Sequence, residues 1–141
     1  VCSYIDDIYQ IADAFLRQDD IRLIARKDYI EEPKPNGYRS LHLIVSVPVF
    51  FAEKRKEVNA EVQIRTIAMD FWASLEHQMK YKRSIPDQQE ISEGLRGCAD
   101  VIARTDREML ALRRRIEAAE DLPSEDDELF DRLRKLDMQI G

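Results

Sequence analysis

Between residues 27 and 42 the chain reads Lys-Asp-Tyr-Ile-Glu-Glu-Pro-Lys-Pro-Asn-Gly-Tyr-Arg-Ser-Leu-His, and this stretch restricts the fold more than any other. Pro33, Pro35 and the Asn36-Gly37 pair exclude helix and interior strand, because proline lacks a backbone donor and Asn-Gly favours a turn. Residues 27–39 are therefore expected to form a loop. It runs straight into residues 40–51, an apolar, β-branched segment that reads as a strand. Any fold of this chain must hang a loop bearing Lys27, Lys34, Tyr38 and Arg39 on the end of a strand that begins near His42.

The flanking segments supply the rest of the architecture. Residues 6–17 read as a helix with Ile8, Ile11, Ala12 and Phe15 on one face, and residues 21–25 as a short strand. Pro48 suggests a sheet edge or a bulge. Residues 53–59 are a charged connection and residues 60–66 a second strand, so 40–66 forms a β-hairpin with a loose tip. Residues 67–82 read as a helix that buries Ile67, Phe71, Leu75 and Met79. Pro86 stands where a new helix would start. Beyond it Ile91, Leu95, Cys98, Ile102, Thr105, Met109, Leu112 and Ile116 alternate steps of four and three, a heptad-like seam. That seam suits either a long helix packed on its own domain or one that pairs with another subunit. Residues 122–128 read as a break, and residues 129–140 as a last short helix with Leu129, Leu133 and Leu136 on one side.

A chain of 141 residues can bury one sizeable core. No apolar run approaches the roughly 20 residues that span a bilayer, and the first residues carry no secretory signal pattern. Cys2 and Cys98 are far apart, which suits a reduced, cytoplasmic pair. His42 and His77 have no neighbours at zinc spacing. Residues 1–86 are charge-balanced, and the whole net charge of −6 falls on residues 87–141. No nucleic-acid partner is expected from that balance, and an anion site must be local.

Residues 61–66 read Glu-Val-Gln-Ile-Arg-Thr. Side chains alternate along a strand, so Val62 and Ile64 face a core while Glu61, Gln63 and Arg65 share the other face. On the partner strand Ser40 and His42 are also polar and also share a face, which favours a cleft at the mouth of the loop. In it Lys34, Arg39 and His42 would supply cations or donors to phosphates. Glu61 is the acid that phosphate chemistry needs, to hold Mg²⁺ or accept a hydroxyl proton, or else it forms a salt bridge with Arg65 or a loop lysine. Tyr38 either stacks on a nucleobase or packs in a core. Asp70 either binds a ligand amide or favours a helix N-terminus by its charge. Glu76 and Lys80, four apart, read as a surface pair.

The segments KDYI…PKPNGYRSLH, EVQIRT and AMDFWASLEH together resemble the acceptor-nucleotide loop, catalytic strand and following helix of the synthetase domain of RelA/SpoT-type alarmone synthetases, in the form of the small single-domain members. The resemblance covers roughly residues 1–83, and residues 84–141 resemble that family's helical C-terminal region in type only. It implies an α+β fold, a mixed β-sheet flanked by helices and similar to nucleotidyltransferases, with a long C-terminal helical extension. The division implied is a synthetase domain at 1–83, lacking its N-terminal part, and a helical region at 84–141. The activity implied is that of a GTP pyrophosphokinase, moving the pyrophosphate group of ATP to the ribose 3′-hydroxyl of GTP or GDP in the stringent response.

By position, the resemblance implies that Tyr38 stacks on guanine and that Lys34 and His42 meet acceptor phosphates. Glu61 would assist Mg²⁺ or activate the 3′-hydroxyl, and Gln63 and Asp70 would lie near the nucleoside. Lys27 and Arg39 are secondary phosphate candidates. Ala25 and Arg26 stand where some members carry Arg-x-Lys-Asp, which leaves GDP and GTP both open as acceptors. The family's Mg²⁺-binding Asp, in an Asp-x-x-Gly-x-Arg stretch, is expected upstream of Val1, so the chain by itself is expected to be nearly inactive. A catalytically silent module that binds guanine nucleotides or assembles subunits is the rival expectation. A cytoplasmic homotetramer or dimer is expected, without a hydrolase domain.

Overall fold

The computed structural model describes residues 1–80 and 86–120. The elements run α1 (Ile5–Leu16), β1 (Arg22–Asp28), β2 (Leu41–Phe51), β3 (Lys54–Ile64), α2 (Ile67–Lys80) and α3 (Gln88–Glu120). The expected break at 122–128, the short helix at 129–140 and the last two residues, 81–82, of the helix expected to reach residue 82 lie outside the described residues.

The sheet has the order β1-β2-β3, and both pairings are antiparallel. An isolated parallel bridge joins Cys2 to Thr66 at the end of β3. With three helices around this sheet, the fold is α+β. β2 sits in the middle, which its composition favours: Leu41, Leu43 and Val45 alternate onto one face and are fully buried. They pair with Ile64, Val62 and Ala60 of β3. Ile8 and Ala12 of α1 close over this face, with Cys2 and Met69 completing the core. Ile11 is exposed, so the buried stripe of α1 is narrower than its apolar spacing implies.

Two expectations about the hairpin and α2 are corrected. Lys54–Asn59 is paired strand, running in register with Ser46–Phe51, and the tip is a tight turn at Ala52-Glu53. Its charged side chains are exposed on an edge strand, where backbone pairing needs no buried residue. In α2 the row Ile67, Phe71, Leu75, Met79 is not the buried one: Ile67 is 63% and Phe71 60% exposed. Met69, Trp72, Ala73 and Glu76 face inward instead. Thr66 fixes this rotation by capping α2: its hydroxyl accepts the Met69 N–H at 3.1 Å.

α3 packs by Leu95, Ala99, Ile102 and Ala103, with Trp72 and Ala73 of α2 and Tyr38 of the loop against its first part. Of the heptad-like seam, Leu95 and Ile102 face inward, whereas Cys98, Thr105, Met109, Leu112 and Ile116 are exposed. The compact unit that contains the sheet runs from Val1 to Leu110, and a second unit begins at Ala111. No described helix is long and apolar enough to cross a membrane.

Candidate functional site

The loop between β1 and β2 is held at both ends. At its start the Asp28 carboxylate accepts from the backbone of Ile30 and Glu31 through one oxygen and from the Tyr9 hydroxyl through the other. At its turn the Asn36 side chain accepts from Tyr38 N–H and donates to Glu76 at 3.3 Å. Glu76 is thus a buried anchor for the loop; the side chain of Lys80, expected to pair with it, lies outside the described residues. Gly37 adopts φ +92°, which favours glycine, and a Cβ there would lie 2.5 Å from the Ala99 Cβ. Residue 37 therefore lets the loop approach α3 to backbone distance.

Register then assembles the cluster. His42 pairs with Gln63 on β3 and with Lys27 on β1, so these side chains share the sheet face opposite the Leu41–Val45 core. His42 Nδ1 lies 2.9 Å from Oε1 of Glu61, and Nε2 lies 2.9 Å from the Tyr38 hydroxyl. The carboxylate can only accept, so Nδ1 carries the proton and Nε2 accepts from Tyr38. Arg65 donates to the Tyr38 oxygen at 2.7 Å and to Gln63 Oε1, while Gln63 donates to Glu61 Oε1 at 3.0 Å. The bonds close a ring: Glu61, His42, Tyr38, Arg65, Gln63 and back to Glu61. A further arm runs from Arg65 to Asp70 at 3.1 Å.

Aromatic groups line the same place. Tyr29 meets Tyr38 and His42 edge to face, with centroids 6.1 and 5.1 Å apart. The Lys34 ammonium lies 4.7 Å from the Tyr29 centroid and 5.0 Å from that of Tyr38. Burial pushes the pKa of His42 down. Lys34, Arg65 and Lys27 add to this and together with burial outweigh the opposing pull of Glu61. At neutral pH the His42–Glu61 contact is therefore a hydrogen bond from a neutral imidazole, not an ion pair. Glu61 titrates below the ordinary glutamate range, chiefly through the Gln63 hydrogen bond, with His42, Lys27 and Lys34 contributing. It is ionised at neutral pH, and its Oε2 makes no hydrogen bond among the described residues.

Of the sequence-predicted residues, Lys27, Lys34, Tyr38, His42, Glu61, Gln63 and Asp70 thus come to one place. Arg39 does not. Its guanidinium donates to the Ala99 carbonyl of α3 at 3.0 Å, with Asp100 at 3.9 Å. Ser40 is buried, and its hydroxyl donates to the Ile64 carbonyl instead of reaching the cleft. Arg65, Tyr29, Trp72 and Asn36 were not singled out as site residues by sequence. Strand alternation placed Arg65 on the face of Glu61 and Gln63 but gave no sign that it would bridge Tyr38 to Asp70. Among the described residues no group of three or more His, Cys, Asp or Glu could hold a metal ion by itself.

Residues 1–86 match the family model described as a region found in RelA / SpoT proteins. The chain is 44% identical over 117 residues to the GTP pyrophosphokinase YwaC of Bacillus subtilis, covering 83% of this chain and 56% of that protein. It is 35% identical over 120 residues to GTP pyrophosphokinase YjbM of the same organism, covering 85% and 57%. Among solved structures it is similar to the small alarmone synthetase 2 of B. subtilis, with TM-score 0.77 and 45% identity over 82% of this chain and 62% of that one. The B. subtilis small alarmone synthetase 1 bound to its product pppGpp gives TM-score 0.76 and 36% identity over 82% and 59%. The chain spans a little over half the length of these curated relatives. The match over residues 1–86, together with the ordered loop, strand and helix around Tyr38 and Glu61, means that the chain belongs to the RelA/SpoT family.

Proposed function

We propose that the protein transfers the β,γ-diphosphate of ATP to the ribose 3′-hydroxyl of GTP or GDP, making (p)ppGpp, and that the Tyr38 cluster holds the acceptor. The observation that carries this reading is the meeting of an aromatic ring, the Lys34 cation over its face and the ionised Glu61 in one place. The relatives favour an enzyme over a silent binder, since two are named GTP pyrophosphokinases and one was solved with pppGpp. A B. subtilis small alarmone synthetase 1 solved with AMPCPP supports an adenine nucleotide as the second substrate.

In this reading guanine stacks on Tyr38, whose ring is held by His42 and Arg65. Gln63 and Asp70 lie beside the nucleoside, and Lys34 and Lys27 draw the phosphates by charge. The 3′-oxygen attacks the β-phosphorus of ATP, the Pα–O–Pβ bond breaks, and AMP leaves with the bonding pair. The 3′-hydroxyl hydrogen-bonds to the Glu61 carboxylate, which takes the proton as the hydroxyl acidifies during attack. Holding the reactants and neutralising charge do most of the work in such transfers.

Mg²⁺ would supply charge neutralisation on the transferring phosphates. Glu61 fits one place in its coordination: it is a hard oxygen donor, half-exposed and ionised. A single carboxylate together with substrate phosphates is a common Mg²⁺ arrangement. We propose further that the protein is a homo-oligomer, a dimer or tetramer, built on the exposed apolar residues of α3 at Val101, Met109, Leu112 and Ile116.

The test is thin-layer chromatography of labelled ATP incubated with GTP or GDP and Mg²⁺, using protein expressed from the complete gene. Labelled (p)ppGpp is expected, with Glu61→Gln lowering its formation at least about 100-fold. Absence of product from the unsubstituted protein, or full activity in Glu61→Gln, contradicts the reading.

A further inference from the structure

Arg39 has the right charge and the right place in sequence to bind a phosphate, yet it is committed elsewhere. Its guanidinium is only 14% exposed, donates to the Ala99 carbonyl and lies beside Asp100. Asp106 and Arg107 complete its electrostatic surroundings on the same helix. The residues around it are tied to the same stretch of α3. Gly37, two positions before Arg39, approaches Ala99 and Arg96 so closely that no side chain fits between them. Trp72, whose ring centroid is 6.5 Å from that of Tyr38, donates its indole N–H to the Leu95 carbonyl at 2.8 Å. Both sequence neighbours of Tyr38, and the aromatic residue beside it, are thus fastened between Leu95 and Asp100. That stretch lies outside the segment the family model matches.

We infer that Arg39 is a positioning residue, not a phosphate ligand: it clamps the acceptor loop to α3 and so sets where the Tyr38 ring meets the base. This rests on the reading of the Tyr38 cluster as a guanine-nucleotide site. It has a distinctive consequence. Loss of a contact to the β- or γ-phosphate weakens binding more as the nucleotide carries more phosphates. Loss of a clamp acts through the base, which every guanine nucleotide shares, so the penalty is the same for all of them.

Trp72 is the chain's only tryptophan and touches both Tyr38 and α3, so its emission reports the clamp without any ligand. The experiment compares the unsubstituted protein with Arg39→Gln and Arg39→Lys. Emission of the nucleotide-free protein and dissociation constants for GTP, GDP and GMP by calorimetry are the readouts. Arg39→Gln is expected to shift Trp72 emission to the red. It should also weaken all three nucleotides by one common factor of about three to ten, the scale of one lost hydrogen bond. Arg39→Lys should recover part of both effects. A loss that grows from GMP to GTP, with emission unchanged, would overturn the inference.

If Arg39→Gln does not fold, Ala99→Val provides the same test, since its added methyls press on Gly37 and leave the arginine charge in place. It is then expected to give the common-factor loss and the red shift, and unchanged values for both would overturn the inference. If the unsubstituted protein binds none of the three nucleotides, the functional reading fails, and the emission of the variants still decides for or against the clamp.

Discussion

The Nδ1 of His42 donates to Oε1 of Glu61 across 2.9 Å, and that one contact fixes the sense of the hydrogen bonds that run from His42 through Tyr38 to Arg65. With the proton held on Nδ1, Nε2 must accept, Tyr38 must donate to it, and the Tyr38 oxygen is left to receive Arg65. Protonating His42 would put a second donor against the Tyr38 hydroxyl and undo this order.

The first prediction concerns pH. The folded state holds His42 below its ordinary value of 6.5, through burial and the nearby Lys34, Arg65 and Lys27. The unfolded chain thus binds more protons between that lowered value and 6.5. The stability contributed by neutral His42 is complete above about pH 6.5 and is lost as pH falls through the lowered value. Glu61, depressed below 4.5, loses its contribution only in a more acidic window. Melting temperatures at pH 7.5 and 5.5 should fall less in His42→Gln than in the unsubstituted protein. An equal drop in both would show that His42 is not the titrating group.

The second prediction concerns the join between β3, α2 and α3. The Thr66 hydroxyl caps α2 through Met69 N–H and donates to the buried Asp106 carboxylate at 2.7 Å. Thr66→Val removes both bonds and leaves Asp106 without that donor, so a loss of about 1–3 kcal/mol is expected in urea unfolding. Burial pushes the Asp106 pKa up. Asp106→Asn keeps an acceptor for Thr66 and removes the desolvated charge, so it should cost much less. The reverse order of the two variants would contradict this account of the join.

The contrast between these regions shows what the sequence could convey. The loop between β1 and β2 was legible because proline, Asn-Gly, lysine and tyrosine each have a local meaning, and strand alternation placed Glu61 with Gln63. The orientation of α2 was not, because Ile67, Phe71, Leu75 and Met79 form as good an apolar row as Met69, Trp72, Ala73 and Glu76. The cap at Thr66, the bond from Asn36 to Glu76 and the bond from Trp72 to the Leu95 carbonyl turn the second row inward. The face of α3 was hidden for a related reason. Its contact with Gly37 needs the small Ala99, and its contact with Thr66 uses a charged residue, so neither reads as core.

The third prediction concerns assembly. Val101, Met109, Leu112 and Ile116 are each about half exposed or more along α3. Light scattering at micromolar concentration should report a dimer or tetramer, and Met109→Glu with Leu112→Glu should lower the mass toward the monomer. A monomer before substitution would refute the oligomer.

The central claim is that the Tyr38 ring holds a guanine base, and calorimetric titration with GDP tests it most directly. The unsubstituted protein should bind GDP. Tyr38→Ala should raise the dissociation constant about 5- to 150-fold, the worth of about 1–3 kcal/mol of base stacking. Tyr38→Phe, which keeps the ring and loses the hydroxyl, should fall between them. No binding by the unsubstituted protein, or an unchanged constant in Tyr38→Ala, would contradict the account.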